Sequence, residues 1–326
     1  MACKRGGRYS HRLKAKEALA TYKVSVSGTT HSVDYHSNKE ASGMDTKIDL
    51  MKKFEEIAKT SVKVDFETVN NQELPIGASK FGGKPDLPKG FECYYFTGEN
   101  YDGITEKRPL SFLAQINCEE VRKYDKDNLL PEKGIIYFFY ELSTMTWGFD
   151  PKDKGSARIF YFNGNLSELT RTDFPFDMEA EFTLPEMKII YSEKYDLPGY
   201  EEFSELYNYN GWDVYDEERV LSGYEQEDTI SKLLGYADII QNSMLLECEK
   251  VTNGIYCGGG TDVEPKKLKE LKENSEQWQL LFQLDTVTKD NFELMFGDCG
   301  RIYFYIKKED LKKCNFDNCW LILQCS

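Results

Sequence analysis

Beyond residue 44, apolar and polar positions follow patterns that each predict an element. Leu50, Met51, Phe54, Ile57 and Ala58 recur at helical spacing behind Thr46-Lys47-Ile48-Asp49, which has the form of a capping box, so an amphipathic helix is expected over about 46–60. Val62, Val64 and Phe66 alternate with polar neighbours and predict a strand. The stretch 75–88, dense in Gly and Pro, predicts a rigid loop. Leu110 to Ile116 predicts a strand, with Asn117 and Glu120 placed to cap a short helix after it. The apolar run Ile135 to Tyr140 predicts a buried central strand, and Arg158 to Phe162 another strand. Further on, Ser243 to Val251 reads as a strand and Gly258-Gly259-Gly260 as a loop. A Lys/Glu-rich helix follows at about 264–275, buried along Leu268 and Leu271. Gln279 to Leu284, Arg301 to Lys307 and Trp320 to Gln324 read as the closing strands.

Several of these patterns occur twice. Ser79-Lys80-x-x-Gly83-x-x-Asp86 returns as Ser231-Lys232-x-x-Gly235-x-x-Asp238, Leu113-Ala114-Gln115-Ile116-Asn117 as Leu281-Phe282-Gln283-Leu284-Asp285, and Gly134-Ile135-Ile136-Tyr137-Phe138-Phe139 as Gly300-Arg301-Ile302-Tyr303-Phe304-Tyr305. The offsets are 152, 168 and 166 residues, in the same order. The expectation is an internally duplicated α+β fold, two similar halves each carrying a mainly antiparallel sheet and a few flanking helices. The first copy would cover about 73–175 and the second about 228–326, within a unit spanning 44–326. Residues 176–227 interrupt the repeat and, with tyrosines and Trp212 interleaved among acids, are expected to fold over the core as short strands and loops.

Charge divides the chain. Residues 1–43 carry eight Lys/Arg against three acids, and the remainder 33 against 53, for a total of −15. With no sustained period, 1–43 reads as a disordered basic extension, either a targeting segment or residues upstream of a start near Met44. Residues 176–227 alone hold fifteen acids and three bases. The core is therefore not expected to bind nucleic acid, which needs clustered cations. No apolar run has the roughly 20 residues of a membrane helix, so no membrane partner is expected. Nine cysteines, an odd number without C-x-x-C, suit a reduced, cytoplasmic protein in which they are small buried hydrophobes.

The blocks SKFGGKPDLP, PLSFLAQIN, GIIYFFY, WGFDPKDKGSARIFYF, KLLGYADIIQ, ECEKVTNGIYC, FGDCGRIYFYI and NFDNCWLILQCS resemble the YwqG-like family, a bacterial-type domain of unknown function. The resemblance spans roughly 70–326. It implies an α+β fold of two similar sheet-containing halves, and it supplies no catalytic residue to carry over. Genes of such proteins often sit beside toxin and immunity genes, which implies an interaction role.

The chemistry is bounded mainly by histidine. His11, His31 and His36 are the only ones, so residues 37–326 cannot run a Ser-His-Asp or Cys-His mechanism or build a His-containing metal site. No catalytic residue, metal ligand or cofactor is assigned. The Gly-rich loop places Lys80, Gly82, Gly83 and Asp86 together but lacks the Ser/Thr of a P-loop, and a tight turn with φ > 0 at one or both glycines accounts for it. Gln115 and Gln283 either satisfy backbone groups or line a cleft between the halves. Trp147, Asp150, Lys154 and Arg158 offer a stacking surface and a polar handle, or a turn with a local ion pair. The leading expectation is a binding or interaction protein, immunity-like, meeting a basic protein partner through Glu201, Glu202, Tyr207, Tyr209, Trp212, Glu217 and Glu218. The alternative is a small-molecule binder or enzyme working in a cleft between the repeats, with Lys80, Gly82, Gly83, Asp86, Gln115, Trp147, Asp150, Lys154, Arg158 and Gln283 as candidates.

Overall fold

The structure, a computed structural model, describes residues 50–69, 73–224, 230–259 and 262–326. The basic extension over 1–43, the capping box at 46–49 and the expected start of the second copy at 228 lie outside the described residues, as does Gly260 of the glycine loop.

Helix α1, described over 50–57, runs into β1 (Lys59–Thr68), so the helix ends before the residue 60 expected. Alternation of Val62, Val64 and Phe66 takes over at Lys59, because all three side chains are buried on one face of a strand. The Gly/Pro stretch is not wholly loop: it contains β2 (Lys80–Phe81) and β3 (Asp86–Pro88), joined by a turn in which Gly82 and Gly83 both have positive φ. A hairpin follows, β4 (Tyr95–Glu99) and β5 (Thr105–Pro109), then β6 (Ser111–Asn117) and the one-turn helix α2 (Cys118–Val121). Asn117 caps α2 by accepting from the Glu119 amide; Glu120 instead accepts from the Ser79 amide across the loop. Next come β7 (Ile135–Tyr140), β8 (Ala157–Phe162), β9 (Leu169–Arg171) and β10 (Met187–Asp196).

The interruption at 176–227 corrects the expectation of short strands and loops. It supplies β10, a ten-residue strand in the middle of the main sheet, and two helices, α3 (Tyr200–Tyr207) and α4 (Trp212–Leu221). These helices pack on α1 through Leu50, Phe54, Leu197, Phe203 and Tyr215. The remaining elements are β11 (Ser231–Leu234), α5 (Leu245–Thr252), α6 (Pro265–Ser275), β12 (Trp278–Asp285), the hairpin β13 (Val287–Lys289) and β14 (Phe292–Leu294), β15 (Arg301–Lys307), α7 (Lys308–Lys312) and β16 (Trp320–Gln324). The segment Ser243 to Val251, expected as a strand, is mostly the helix α5. Met244, Leu245, Cys248 and Val251 bury a face at three- and four-residue spacing, which a strand cannot do.

The fold is mixed α and β, with seven helices among the described residues and antiparallel pairing throughout. Ten strands form one large sheet, ordered β16-β15-β12-β11-β1-β10-β2-β6-β7-β8. Outward from the central β1–β10 pair, the two wings are built alike. β11 stands where β2 does, β12 where β6 does, β15 where β7 does and β16 where β8 does. β6 and β12 even share a register shift, between Phe112 and Ala114 and between Leu280 and Phe282. Strong curvature brings the two edges together. The Leu323 amide of β16 donates to the Trp147 carbonyl (3.0 Å), and the Trp320 indole donates to the Gly148 carbonyl (2.8 Å), leaving the sheet nearly closed.

Alternation sets the layers. Ile136, Phe138 and Tyr140 of β7 and Ile302, Phe304 and Ile306 of β15 point into one shared interior, where Phe138 meets Phe282 and Phe304 at ring distances of 4.7 and 5.1 Å. The opposite faces are covered separately. Ile135, Tyr137 and Phe139 lie under Leu87, Phe96 and Leu169, while Tyr303, Tyr305 and Ile322 lie under α5. Among the described residues no helix is long and apolar enough to cross a membrane.

Candidate functional site

Lys80, Gly82, Gly83, Asp86 and Gln115 come together, but inside the protein rather than in a cleft. Lys80, Asp86 and Gln115 are each 0% exposed. The Asp86 amide donates to Gln115 Oε1 (3.0 Å), and Gln115 Nε2 donates to the Ala78 carbonyl and to Asp86 Oδ2 (both 2.8 Å). Lys80 Nζ reaches Glu186 (2.8 Å) and the Lys84 carbonyl (2.5 Å), and Arg171 holds Asp86 Oδ1 (2.9 Å). Burial lowers the pKa of Lys80, outweighing the hydrogen bond to Glu186 and the charges of Asp86 and Glu186, and the Arg171 cation adds a smaller push in the same direction.

Gln283 sits in the corresponding place of the other wing, in a second network away from the first. Its Oε1 accepts from the Asp238 amide (2.9 Å), and its Nε2 donates to the Ile230 carbonyl (2.8 Å) and Asp238 Oδ2 (3.1 Å). Lys232 bridges Asp196 (2.8 Å) and Asp238 (2.6 Å), and Arg301 pairs with Asp285. Burial pulls Lys232 down, but two carboxylates more than offset it, so its pKa is raised. In both wings a tyrosine, Tyr137 or Tyr303, donates to the backbone carbonyl of the aspartate. These groups satisfy one another and fix the loop after β2 or β11 onto the sheet, which is what buried polar groups ordinarily do. Gly82 is needed there for space as well as φ, since a Cβ would run into the Pro185 carbonyl.

The third group of candidates separates. Asp150 caps a short turn by accepting from the Lys152 amide (2.9 Å), and Trp147, 43% exposed, lies beside Phe149. Neither lines a cavity described here. Lys154 and Arg158 do. They border a cleft of about 460 Å³ whose far wall is Trp278, Trp320 and the end of β15. The side chain of Arg158, a half-buried residue on β8, has no hydrogen-bond or ion-pair partner among the described residues, and neither has that of Lys154 at the rim. The other charges of the cleft are mostly engaged. Lys307 pairs with Glu249 (2.8 Å), Asp153 accepts from the Gly148 amide (2.9 Å), and Asp310 accepts from Asn315 (2.8 Å). Asp153 is pushed up by burial, against two backbone hydrogen bonds that lower it. Nothing along the chain marks Trp278, Lys307 and Trp320 as neighbours of Arg158, because the nearest of them is over a hundred residues away.

The acidic aromatic candidates divide by helix face. Glu201, Tyr207, Trp212 and Glu217 are exposed and Tyr209 is half-buried, whereas Glu202 and Glu218 turn inward at 5% and 3% exposure. The adjacent acids therefore do not act as pairs on the surface. Of the cysteines, Cys118, Cys248 and Cys325 are buried, Cys257, Cys314 and Cys319 half-buried and Cys93 exposed. Among the described residues no three His, Cys, Asp or Glu side chains are grouped as a metal site would require.

No protein with curated annotation matches the chain. A family model, Domain of unknown function (DUF1963), matches residues 79–325, from Ser79 just before β2 to Cys325 just after β16, and the chain belongs to that family.

Proposed function

We propose that the protein is a binding protein whose recognition site is the cleft between the 151–158 turn and the 317–321 segment, and that it takes a small anionic ligand. The observation that carries this is the state of Arg158. Its guanidinium is half-buried in a concave site, and no carboxylate among the described residues lies within 4 Å. A desolvated guanidinium is costly to leave unpaired, and a carboxylate or phosphate satisfies its planar fork in two bonds. Lys154 adds a second cation, and the indoles of Trp278 and Trp320 give an apolar wall. The cleft joins residues from both wings, as the between-halves reading requires. No histidine takes part, so binding needs no imidazole chemistry.

Two readings go with this one. The matched hydrogen bonds around Gln115 and Gln283, with the shared register shift, support descent of both wings from one ancestral unit and with it a YwqG-like membership. The exposed face with Glu201, Glu217, Tyr207 and Trp212 supports a second contact surface, suited to a basic protein and consistent with a cytoplasmic interaction role.

Titration calorimetry with inorganic phosphate, citrate and benzoate tests the proposal. At least one should bind, and Arg158→Met should weaken it tenfold or more without lowering the melting temperature. Silence toward all three, or equal binding by the variant, removes the reading.

A further inference from the structure

A second cavity, away from that cleft, is lined by chemistry that neither the repeats nor the family assign. It measures about 250 Å³ and lies where α3, the start of β1, the loop after β11 and the outer face of β15 converge. Glu202, in the first turn of α3, forms part of its wall and is 95% buried. Among the described residues its carboxyl has no hydrogen-bond or ion-pair partner. Lys59, the first residue of β1, lines the same cavity. Its ammonium contacts the Tyr236 ring, 3.8 Å from the centroid, and pairs with no carboxylate. Tyr305 and Trp278 also line it, with the exposed Glu276 and Lys308.

Besides Glu276 and Lys308, which are exposed, two opposite charges share this small cavity, Glu202 and Lys59, and neither is in an ion pair among the described residues; Lys59 has only the Tyr236 ring. Each is a desolvated group that ought to find a partner. Burial is the main reason the Glu202 carboxyl is raised to about 7 and the Lys59 ammonium is lowered. Lys59, Gly235, Gln279, Leu280 and Lys308 also line a neighbouring groove of about 810 Å³, which has Leu129, Leu130, Leu234 and Leu311 in its lining and Asp127, Glu132, Lys133, Glu309 and Lys312 among its charged residues.

We propose that this cavity binds a free α-amino acid with an apolar side chain. The ligand's ammonium meets Glu202 and the aromatic faces beside it, its carboxylate meets Lys59, and its side chain lies in the groove. A zwitterion completes both unpaired groups at once and leaves the site neutral, which a simple anion or a simple amine does not do. The leucines Leu129, Leu130, Leu234 and Leu311 of the groove offer contact area to an apolar side chain.

The test is calorimetry on the full chain with L-leucine, L-isoleucine and L-phenylalanine, each beside its N-acetyl and its amide derivative. At least one free amino acid should bind at millimolar concentration or below. Its N-acetyl form, without the ammonium, and its amide, without the carboxylate, should each bind at least tenfold more weakly. Because these deletions are made on the ligand, they do not depend on any variant folding. Glu202→Gln and Lys59→Met should show the same tenfold loss, with circular dichroism matching the parent. The proposal is overturned if none of the three binds, if both derivatives bind as well as the parent, or if folded variants bind undiminished.

Discussion

Glu202 shows how a single residue can be conspicuous in the sequence for one reason and distinctive in the fold for another. In the chain it is half of an acidic pair on a tyrosine-rich segment. In the structure Glu201 takes the solvent and Glu202 the interior. Its carboxyl, raised from an ordinary 4.5 to about 7, makes stability depend on pH. Between those values the folded chain holds a proton that the unfolded chain has released, so stability falls as pH rises through that window and levels off above it. A shift of this size corresponds to about 3 kcal/mol. Glu202→Gln should therefore be more stable than the parent above pH 7, by up to about 3 kcal/mol, and the gap should close below pH 4.5. Urea unfolding at about pH 8 and about pH 4.5 measures it, and a gap that does not widen with pH would show the carboxyl to be compensated.

Elements were legible where the period was unambiguous. The runs Ile135 to Tyr140 and Ile302 to Ile306 have no polar interruption that a helix would need, and both are buried strands paired on two sides; they lie one in from each edge of the sheet rather than at its centre. Ser243 to Val251 misled because short apolar runs fit either period; burial of Leu245, Cys248 and Val251 against the sheet settled it as a helix. The segment at 176–227 hid β10 for a different reason. Its alternation is masked by lysines and glutamates at the solvent-facing positions, and its partner β1 lies more than a hundred residues upstream. Lys232 illustrates how such elements are tied together. It stands on β11 and bonds the end of β10 through Asp196 and the following loop through Asp238. Replacing it with Met leaves Asp196 buried without its ammonium and Asp238 with only the more distant charge of Arg301, so a loss of ~3–5 kcal/mol in the denaturation free energy is expected. Adding Asp196→Asn should recover part of it; a fully additive double variant would mean that the two do not interact.

For the whole molecule, closure of the sheet is the deciding event. Closure depends on backbone at 147–148 lying against β16, and Gly148 (φ +77°) permits it: a Cβ there would collide with the Leu321 carbonyl. Gly148→Ala should cost at least ~2 kcal/mol through strain in the left-handed region together with the lost contact. It should also raise hydrogen exchange at the Leu323 amide, which is bonded to the Trp147 carbonyl. Unchanged protection at that amide would mean that the seam is not held there. The same closure assembles the Arg158 cleft from β8 and the 317–321 segment, so binding at Arg158 and integrity of the seam belong together.

Local composition was enough to determine strands such as β1, β6, β7, β12, β15 and β16, the turn glycines, the doubled polar blocks and the absence of imidazole beyond residue 36, since each rests on neighbours within a few residues. Which side chains are left without partners was decided only by tertiary packing. Gln115 and Gln283 look available in the sequence and are fully bonded, whereas Arg158, Lys59 and Glu202 look ordinary and stand unpaired beside open cavities. Whether a charge is satisfied depends on atoms brought from distant strands by the curvature of the sheet, and no periodicity along the chain encodes that distance.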